Sequence, residues 1–404
     1  MWPRPSSGGD AGQRGERGLT GTGSDRAPAE SLAALAVEVR NIGISAGLDA
    51  VGIAPATPFH ETRQHLFERK AAGLHGGMQF TYRNPVRSTD PSHAVRDAAA
   101  LVVGARGYLR ARLQQRDDRP AGRVARYSWR DHYQPLREKL QLIADRLGAA
   151  GYQAVVVADD NALVDREAAY RAGLGWYGKN TNLLLPGRGS WFVLGAVVTD
   201  APLPSEEQPK SDGCGSCQRC LPACPTGAFI QPGVLDARRC LAWLLEAPGV
   251  FPTEHRVALG DRLYGCDDCQ DACPINQKAA RRSAPPAADG HDQPTVDLLA
   301  LLASSDEELL RTYGRWYIPQ RHPRYLRRNA LVVLGNTGNG RDPGVVDALC
   351  RALQSDDGIV RAHATWAAAR LGRSDLLSQV VNDPDPAVQA ELAGTRRSEF
   401  QSRQ

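Results

Sequence analysis

No apolar run in this chain approaches the roughly 20 residues that a membrane-crossing helix requires, so a helical membrane protein is excluded. The start is not hydrophobic either. Met1 to Ala29 is rich in Gly, Ser and Arg, which excludes a secretory signal and predicts a disordered tail. With no mark of export, structural disulfides are not expected. A large charge excess is missing too. The 49 Lys and Arg against 45 Asp and Glu leave a formal +4, too mild to announce a nucleic-acid binder by bulk charge. The charged fraction of 23% and hydrophobic fraction of 42% are ordinary for a soluble chain. At 404 residues the chain is too long for one compact core, and two or three domains are expected.

Cysteine, by contrast, is concentrated. Eight of nine lie in Cys214-x2-Cys217-x2-Cys220-x3-Cys224-Pro225 and in Cys240 followed by Cys266-x2-Cys269-x3-Cys273-Pro274. This is the two-cluster bacterial ferredoxin pattern: two-residue spacers bring three sulfurs to one [4Fe–4S] cube, and the cysteine before proline ligates the other. The spacing assigns Cys214, Cys217, Cys220 and Cys273 to one cluster, and Cys224, Cys240, Cys266 and Cys269 to the second. Zinc is the competing reading, but a ribbon closes one four-ligand site with two CxxC pairs, and these runs offer twice that. Such clusters need a reducing compartment, so a cytoplasmic protein is expected. Cys350, among Val346, Leu349 and Leu353, reads as a buried structural thiol.

The rest of the chain divides around this module. Glu30 to Ala46 reads as an amphipathic helix with Leu32, Leu35, Ala36 and Val39 on one face. Asp49–Ala54, Ala98–Gly104, Gln153–Ala158 and Trp191–Thr199 read as strands, and Pro135–Leu147 as a helix. Alternating strands and helices predict an α/β domain over 30–204, followed by a ferredoxin-like module over 205–278. Lys278 to Pro294 has Pro, Ala and charge without period, and a linker is expected over 279–296. In 297–396, Arg328–Gly335 is echoed by Arg361–Gly372, and Ser355–Arg361 by Asn382–Val388. Asp-led starts and Ala/Leu faces closing on Leu-Gly predict HEAT-like helical repeats; two unrelated Ala/Leu-rich helices are the plainer alternative. The fold class is therefore multidomain α/β with a ferredoxin-like module and a C-terminal α-helical repeat.

Chemistry is densest between Ala158 and Asn180. The strand ending at Ala158 runs into Asp159, where a carboxylate would face the crevice in which α/β domains bind ligands. Gly173, Gly175 and Gly178 would let backbone approach a ligand, and Lys179-Asn180 would capture a polar edge. An Asp in this place is, on composition, more often a helix cap, and the glycines more often plain turns. Further on, Trp316 to Asn329 interleaves Arg321, Arg324, Arg327 and Arg328 with Tyr317 and Tyr325. That mix suits phosphate contact and base stacking, although most such clusters are solvated helix faces.

Together these motifs resemble the epoxyqueuosine reductase family. The resemblance rests on Asp159, then Asp165-Arg166, then Ala172-Gly-Leu-Gly-Trp-Tyr-Gly-Lys-Asn180. It continues through Cys214-Gly-Ser-Cys217 to Pro225-Thr-Gly-Ala228, Arg262-Leu-Tyr-Gly-Cys266-Asp-Asp-Cys-Gln270 and Arg328-Asn-Ala-Leu-Val-Val-Leu-Gly-Asn336, spanning about 30 to 395. Tyr127–Tyr133 is similar to a family element, one residue shorter and with His132 and Tyr133 in swapped order. The resemblance implies two [4Fe–4S] clusters, cobalamin in the N-terminal domain, and reduction of epoxyqueuosine to queuosine at the tRNA wobble position. It implies Asp159 as proton donor, with cofactor contacts at Arg87, Ala125, Asp159, Leu183, Leu194 and Ala242. Ala242 stands where many relatives carry Ser, and Asp159-Asp-Asn-Ala differs from their Asp-Ser-Ala-Pro or Asp-Thr-Gly. None of the nine His lies in a DxHxxG context, which favours cobalt without a protein His. Arg321, Arg324, Arg328 and Asn329 would meet tRNA. A flavodoxin- or ferredoxin-type electron donor, no membrane and a monomer are expected. A dehalogenase-like reductase of a small molecule and a non-enzymatic electron carrier are the competing functions. The carrier leaves the whole N-terminal domain unexplained.

Overall fold

The structure, a computed structural model, describes residues 29–111, 119–205, 208–283 and 286–401. The tail expected before residue 29 lies outside the described residues. Among the described residues, no helix is long and apolar enough to cross a membrane.

The N-terminal part is built on a four-stranded sheet in the order Ala50–Pro55, Ala100–Gly107, Phe192–Thr199, Ala154–Val157. Every neighbouring pair is antiparallel. The two central strands are nearly continuous runs of small and branched apolar residues because both faces are covered. On one face, Val102 and Val197 pack with Leu35 and Val39 of helix Ala29–Ser45 and with helix Tyr133–Ala149. That second helix forms because Leu136, Leu140, Ile143 and Leu147 recur at helical spacing, and all four are buried. The Asp131 side chain accepts the N–H groups of Tyr133 and Gln134 (2.9 Å each) and starts it. On the opposite face, Leu101, Val103 and Val198 pack against Leu163 and the helix Asp165–Arg171. The strand at Ala154–Val157 is not the buried strand that its sequence predicts. It is an edge, with Val155 43% exposed and only Val157 buried, because nothing packs outside it.

A second sheet draws one strand from each part of the chain. Ala121–Val124 lies between Arg262–Tyr264, parallel to it, and Thr295–Asp297, antiparallel. The expected linker is therefore structured. Helix Pro274–Ser283 runs through Lys278-Ala-Ala-Arg-Arg282, good helix formers. Beyond it, Asp289 and Asp292 hold Arg130 (2.7 and 2.6 Å) and anchor the return.

The cysteine module is fixed to the first sheet by buried polar groups. Arg126 lies beneath Trp191 and pairs with Asp267 (3.3 Å) and Asp271 (2.9 Å). Gln270 and Asn276 both donate to the Ser190 hydroxyl (3.0 and 2.9 Å), and the Ser190 N–H donates back to Asn276 (2.7 Å). Such contacts tolerate little movement, since a lost partner leaves a buried donor or acceptor unsatisfied.

The C-terminal part is a stack of paired helices. Gly358–Arg370 is the centre of the stack, packed against Arg324–Thr337, Pro343–Leu353 and Pro386–Gln401. Asp342 and Asp357 cap their helices by accepting two backbone N–H groups each. Their apolar core is continuous with Leu244, Leu245, Leu259 and Leu263 of the cysteine module, so the stack does not stand alone. Cys350 is half-buried against this core rather than enclosed in it.

Candidate active site

The eight clustered thiols fall into two groups by the charges they feel. Cys220 interacts with Cys214, Cys217 and Cys273, and Cys273 in turn with Cys214 and Cys217. Cys269 interacts with Cys266, Cys240 and Cys224, and Cys240 with Cys224. All eight are free thiols. Burial, then neighbouring acidic groups, push the Cys266 thiol up to about 12, and burial with neighbouring thiols and Asp267 raises Cys269 well above the usual thiol value. Protonated, closely set thiols of this kind are what a cationic cluster would deprotonate and relieve.

Backbone donors already point at the sulfurs. Ala228 N–H donates to Cys224 Sγ (3.3 Å). Ala242 and Trp243 serve Cys240, Asp268 serves Cys266, and Ile275 and Asn276 serve Cys273. N–H groups aimed at sulfur suit thiolate ligands of an iron–sulfur cluster. Among the described residues, no three His, Cys, Asp or Glu side chains stand close enough to hold a single metal ion. A four-iron cube spreads its thiolates around a much larger body.

Asp159 ends the edge strand in a left-handed conformation (φ 55°), which Asp tolerates better than most residues. The turn is pinned on several sides. Arg137 donates to the Ala158 carbonyl (3.0 Å), Asp160 accepts from Ala162 N–H (2.8 Å), and Val164 N–H reaches the Ser88 carbonyl (2.9 Å). Asp159 is open to water yet crowded by protein. Burial raises its pKa, Arg137 opposes, and Asp131 and Asp160 add to the rise. Behind it, the Asp165 carboxyl accepts from the Asp159 N–H, and burial pushes its own pKa well up.

Within reach of the Asp159 charge is a group that local sequence did not reveal. Glu246 ends the helix Leu241–Glu246 that begins beside Cys240. Tyr127 donates to its carboxyl (2.9 Å) and Tyr264 hydrogen-bonds it as well. Burial pushes Glu246 up to about 7, and Asp159 acts on it in the same direction. Glu246, Tyr264 and Tyr133 each feel the charge of Asp159, which places all three in its neighbourhood. Tyr127 and Tyr264 stand inside motifs visible in the sequence; Glu246 closes an apolar run, where nothing sets it apart from a surface Glu.

Other predicted residues land differently. Lys179 donates to the Gly215 carbonyl (2.6 Å) and Asn180 to that of Cys269 (3.4 Å), so this pair clamps the two cysteine loops instead of a ligand. A Cβ on Gly175 would stand 2.1 Å from the Leu184 carbonyl oxygen, and one on Gly178 2.2 Å from Leu184 Cδ1. Their close approach is therefore to the neighbouring strand, not to a ligand. Ala125 has both backbone groups engaged, its N–H donating to the Tyr264 carbonyl and its carbonyl accepting from the Ser128 N–H. Leu183 and Leu194 are buried in the apolar layer behind the Asp159 turn. Arg87 is exposed on the short helix Pro85–Ser88, which is stitched to that turn through Ser88. Ala242 follows Cys240 on the helix that ends at Glu246 and is half-buried.

The predicted nucleic-acid residues split in two. Arg321 is exposed and Arg324 pairs with Asp357 (3.2 Å) beside Tyr325. Arg328 and Asn329 are buried, and placing them against tRNA is corrected here. Arg328 donates to the carbonyls of Leu244, Leu245, Ala247 and Gly249, and Asn329 to that of Leu245. They close the end of the Cys240 helix, whose last carbonyls otherwise lack partners.

Residues 213–276 match the family described as a 4Fe-4S double cluster binding domain, and residues 320–395 match HEAT repeats. Over 353 residues the chain is 36% identical to the epoxyqueuosine reductase of Xanthomonas campestris pv. campestris, covering 83% of this chain and 96% of that protein. The chain belongs to the epoxyqueuosine reductase family. The family's protein from Pseudomonas aeruginosa is also 36% identical, over 85% of this chain and 96% of its own. Among solved structures, an epoxyqueuosine reductase crystallised with an epoxyqueuosine-modified tRNA-Tyr stem loop superposes with a TM-score of 0.81 at 29% identity, covering 90% of this chain and 98% of that one. The epoxyqueuosine reductase of Streptococcus thermophilus gives 0.80 at 26% identity, covering 90% and 99%.

Proposed function

We propose that this protein reduces epoxyqueuosine to queuosine at the wobble position of a tRNA anticodon. The reading is carried by one juxtaposition: a protonatable Asp159 near enough to act on Glu246, whose helix begins at Cys240 of the second thiol set. Removing the epoxide oxygen takes two electrons and two protons. Both C–O bonds break, the ring carbons join as an alkene, and oxygen leaves as water.

The residues divide this work. Two [4Fe–4S] clusters, on Cys214, Cys217, Cys220 and Cys273 and on Cys224, Cys240, Cys266 and Cys269, would carry single electrons inward. The Asp159 turn with Tyr133 and the Glu246 helix with Ala242 would hold a flat cofactor, and Arg87 would reach it from the short helix tied to that turn. A cobalamin bound there would supply a strongly reducing cobalt centre to the ring carbon. Asp159 gives a proton to the departing oxygen, a role that needs it protonated near neutral pH, and the burial of its carboxyl favours that form. Arg321 and Arg324, with exposed Tyr317, hold the anticodon stem–loop. A small acidic electron carrier of the flavodoxin or ferredoxin type feeds the clusters, and the enzyme works as a cytoplasmic monomer.

The test is an anaerobic assay on epoxyqueuosine-containing tRNA with a chemical reductant. The product nucleoside is scored by mass spectrometry. Queuosine formation that depends on added cobalamin is expected. Absence of queuosine from protein with both clusters loaded would refute the reading.

A further inference from the structure

Glu246 has no cation. The groups that act on its charge are the hydroxyls of Tyr127 and Tyr264 and the carboxyl of Asp159, and among the described residues no Lys or Arg pairs with it. A carboxylate can accept about four hydrogen bonds, and two phenols leave room for more. The carboxyl is held still. Tyr264 is buried, its hydroxyl accepts Tyr317 N–H (2.8 Å), and its ring stacks on Trp316 (4.5 Å). The helix carrying Glu246 is closed from behind by Arg328. Tyr317, 55% exposed, and Glu246 meet at the same Tyr264 hydroxyl, and Tyr317 feels the Glu246 charge. An exposed aromatic residue, a carboxyl without a cation partner among the described residues and, within reach of its charge, the acid Asp159 therefore stand in one neighbourhood.

Epoxyqueuosine has the matching groups. A flat deazaguanine is joined through a secondary amine to the five-membered ring that bears the epoxide, and the amine is protonated at neutral pH. We infer that Glu246, oriented by Tyr127 and Tyr264, is the anionic subsite that binds this ammonium group and so distinguishes the modified wobble base from guanine. This rests on the function proposed above. The base lies on Tyr317, and the charge-assisted hydrogen bond at Glu246 sets the ring so that its oxygen faces Asp159. Lacking the amine, a guanine gains nothing at this carboxylate.

The experiment measures anaerobic binding of three stem–loops of one sequence to the cluster-loaded enzyme without reductant. They carry guanine, queuosine or epoxyqueuosine at the wobble position. Queuosine keeps the amine and lacks the epoxide. Wild-type protein is expected to prefer both modified stem–loops over guanine by about tenfold or more. Glu246→Gln should abolish that preference and leave guanine binding within about twofold, whereas Tyr127→Phe, which keeps the charge, should retain most of it. A queuosine stem–loop bound no better than guanine by wild-type protein would overturn the inference without any variant. So would a Glu246→Gln enzyme that keeps the full preference but turns over slowly, because Glu246 would then act on protons or electrons. Conversion of epoxyqueuosine by wild-type enzyme is measured alongside. If it is absent, the proposed function has failed, and not the subsite alone.

Discussion

The two thiol sets have the same number of cysteines and differ in their surroundings, although Cys273 of the first set is itself buried against Trp176 and Leu184. Cys214, Cys217 and Cys220 lie on a loop whose intervening residues, Gly215, Ser216, Gln218 and Arg219, are exposed. Cys240 and Cys266 stand beside a helix that ends at Glu246, and the protein around Cys266 and Cys269 raises their thiols most. Spacing in the chain cannot produce this difference; packing does. The proposed function would use the exposed loop set, the outer one, as the entry for electrons and the set beside Glu246, the inner one, as the point of delivery.

That contrast can be broken by experiment, most severely at the inner set. Cys266→Ser should abolish turnover with any reductant, whereas Cys217→Ser should halve the iron content, to about four irons per chain, and regain measurable turnover with a small chemical reductant that bypasses the outer cluster. Iron analysis and the nucleoside assay read both; equal loss in both variants would erase the distinction. Next in size is Asp159→Asn. It should lower turnover by about 10²- to 10⁴-fold while leaving both cluster spectra unchanged. With the protonated acid as the proposed donor and its pKa raised by burial, wild-type turnover should fall as pH rises through that value, read from a kcat–pH profile. Smaller still, Arg328→Met leaves the carbonyls of Leu244, Leu245, Ala247 and Gly249 without their donor. Urea unfolding should show a loss of about 3 kcal/mol, and the inner cluster's electron paramagnetic resonance signal should shift while the outer one stays. Last, Arg321→Ala with Arg324→Ala should touch neither cluster. It should weaken stem–loop binding and flatten its salt dependence by about 1 to 2 in the log–log slope.

The double-cluster domain was legible because a two-residue spacer acts locally, whatever surrounds it. The central strands were legible because burial on both faces demands unbroken apolar runs, as in Leu101–Val103 and Val193–Val198. Asp159 was visible as a strand end, though the sheet it leaves is antiparallel, so the crevice it faces is not that of a parallel α/β sheet. Arg328 was misread for a physical reason. An Arg among other Arg reads as surface, and the four carbonyls that admit it to the interior lie about eighty residues away. Lys179 and Asn180 repeat the lesson, since their partners, Gly215 and Cys269, lie on distant cysteine loops. Glu246 was invisible because its two phenols arrive from Tyr127 and Tyr264, far off along the chain on either side.

The strand Ala121–Val124 is flanked on both sides by segments that follow the first cysteine run. A fragment ending before residue 262 would strip both neighbours from it and leave raw hydrogen-bonding edges, an invitation to clump. The redox wiring cannot be detached as an interchangeable cartridge, and any trimming for expression has to spare everything through Asp297.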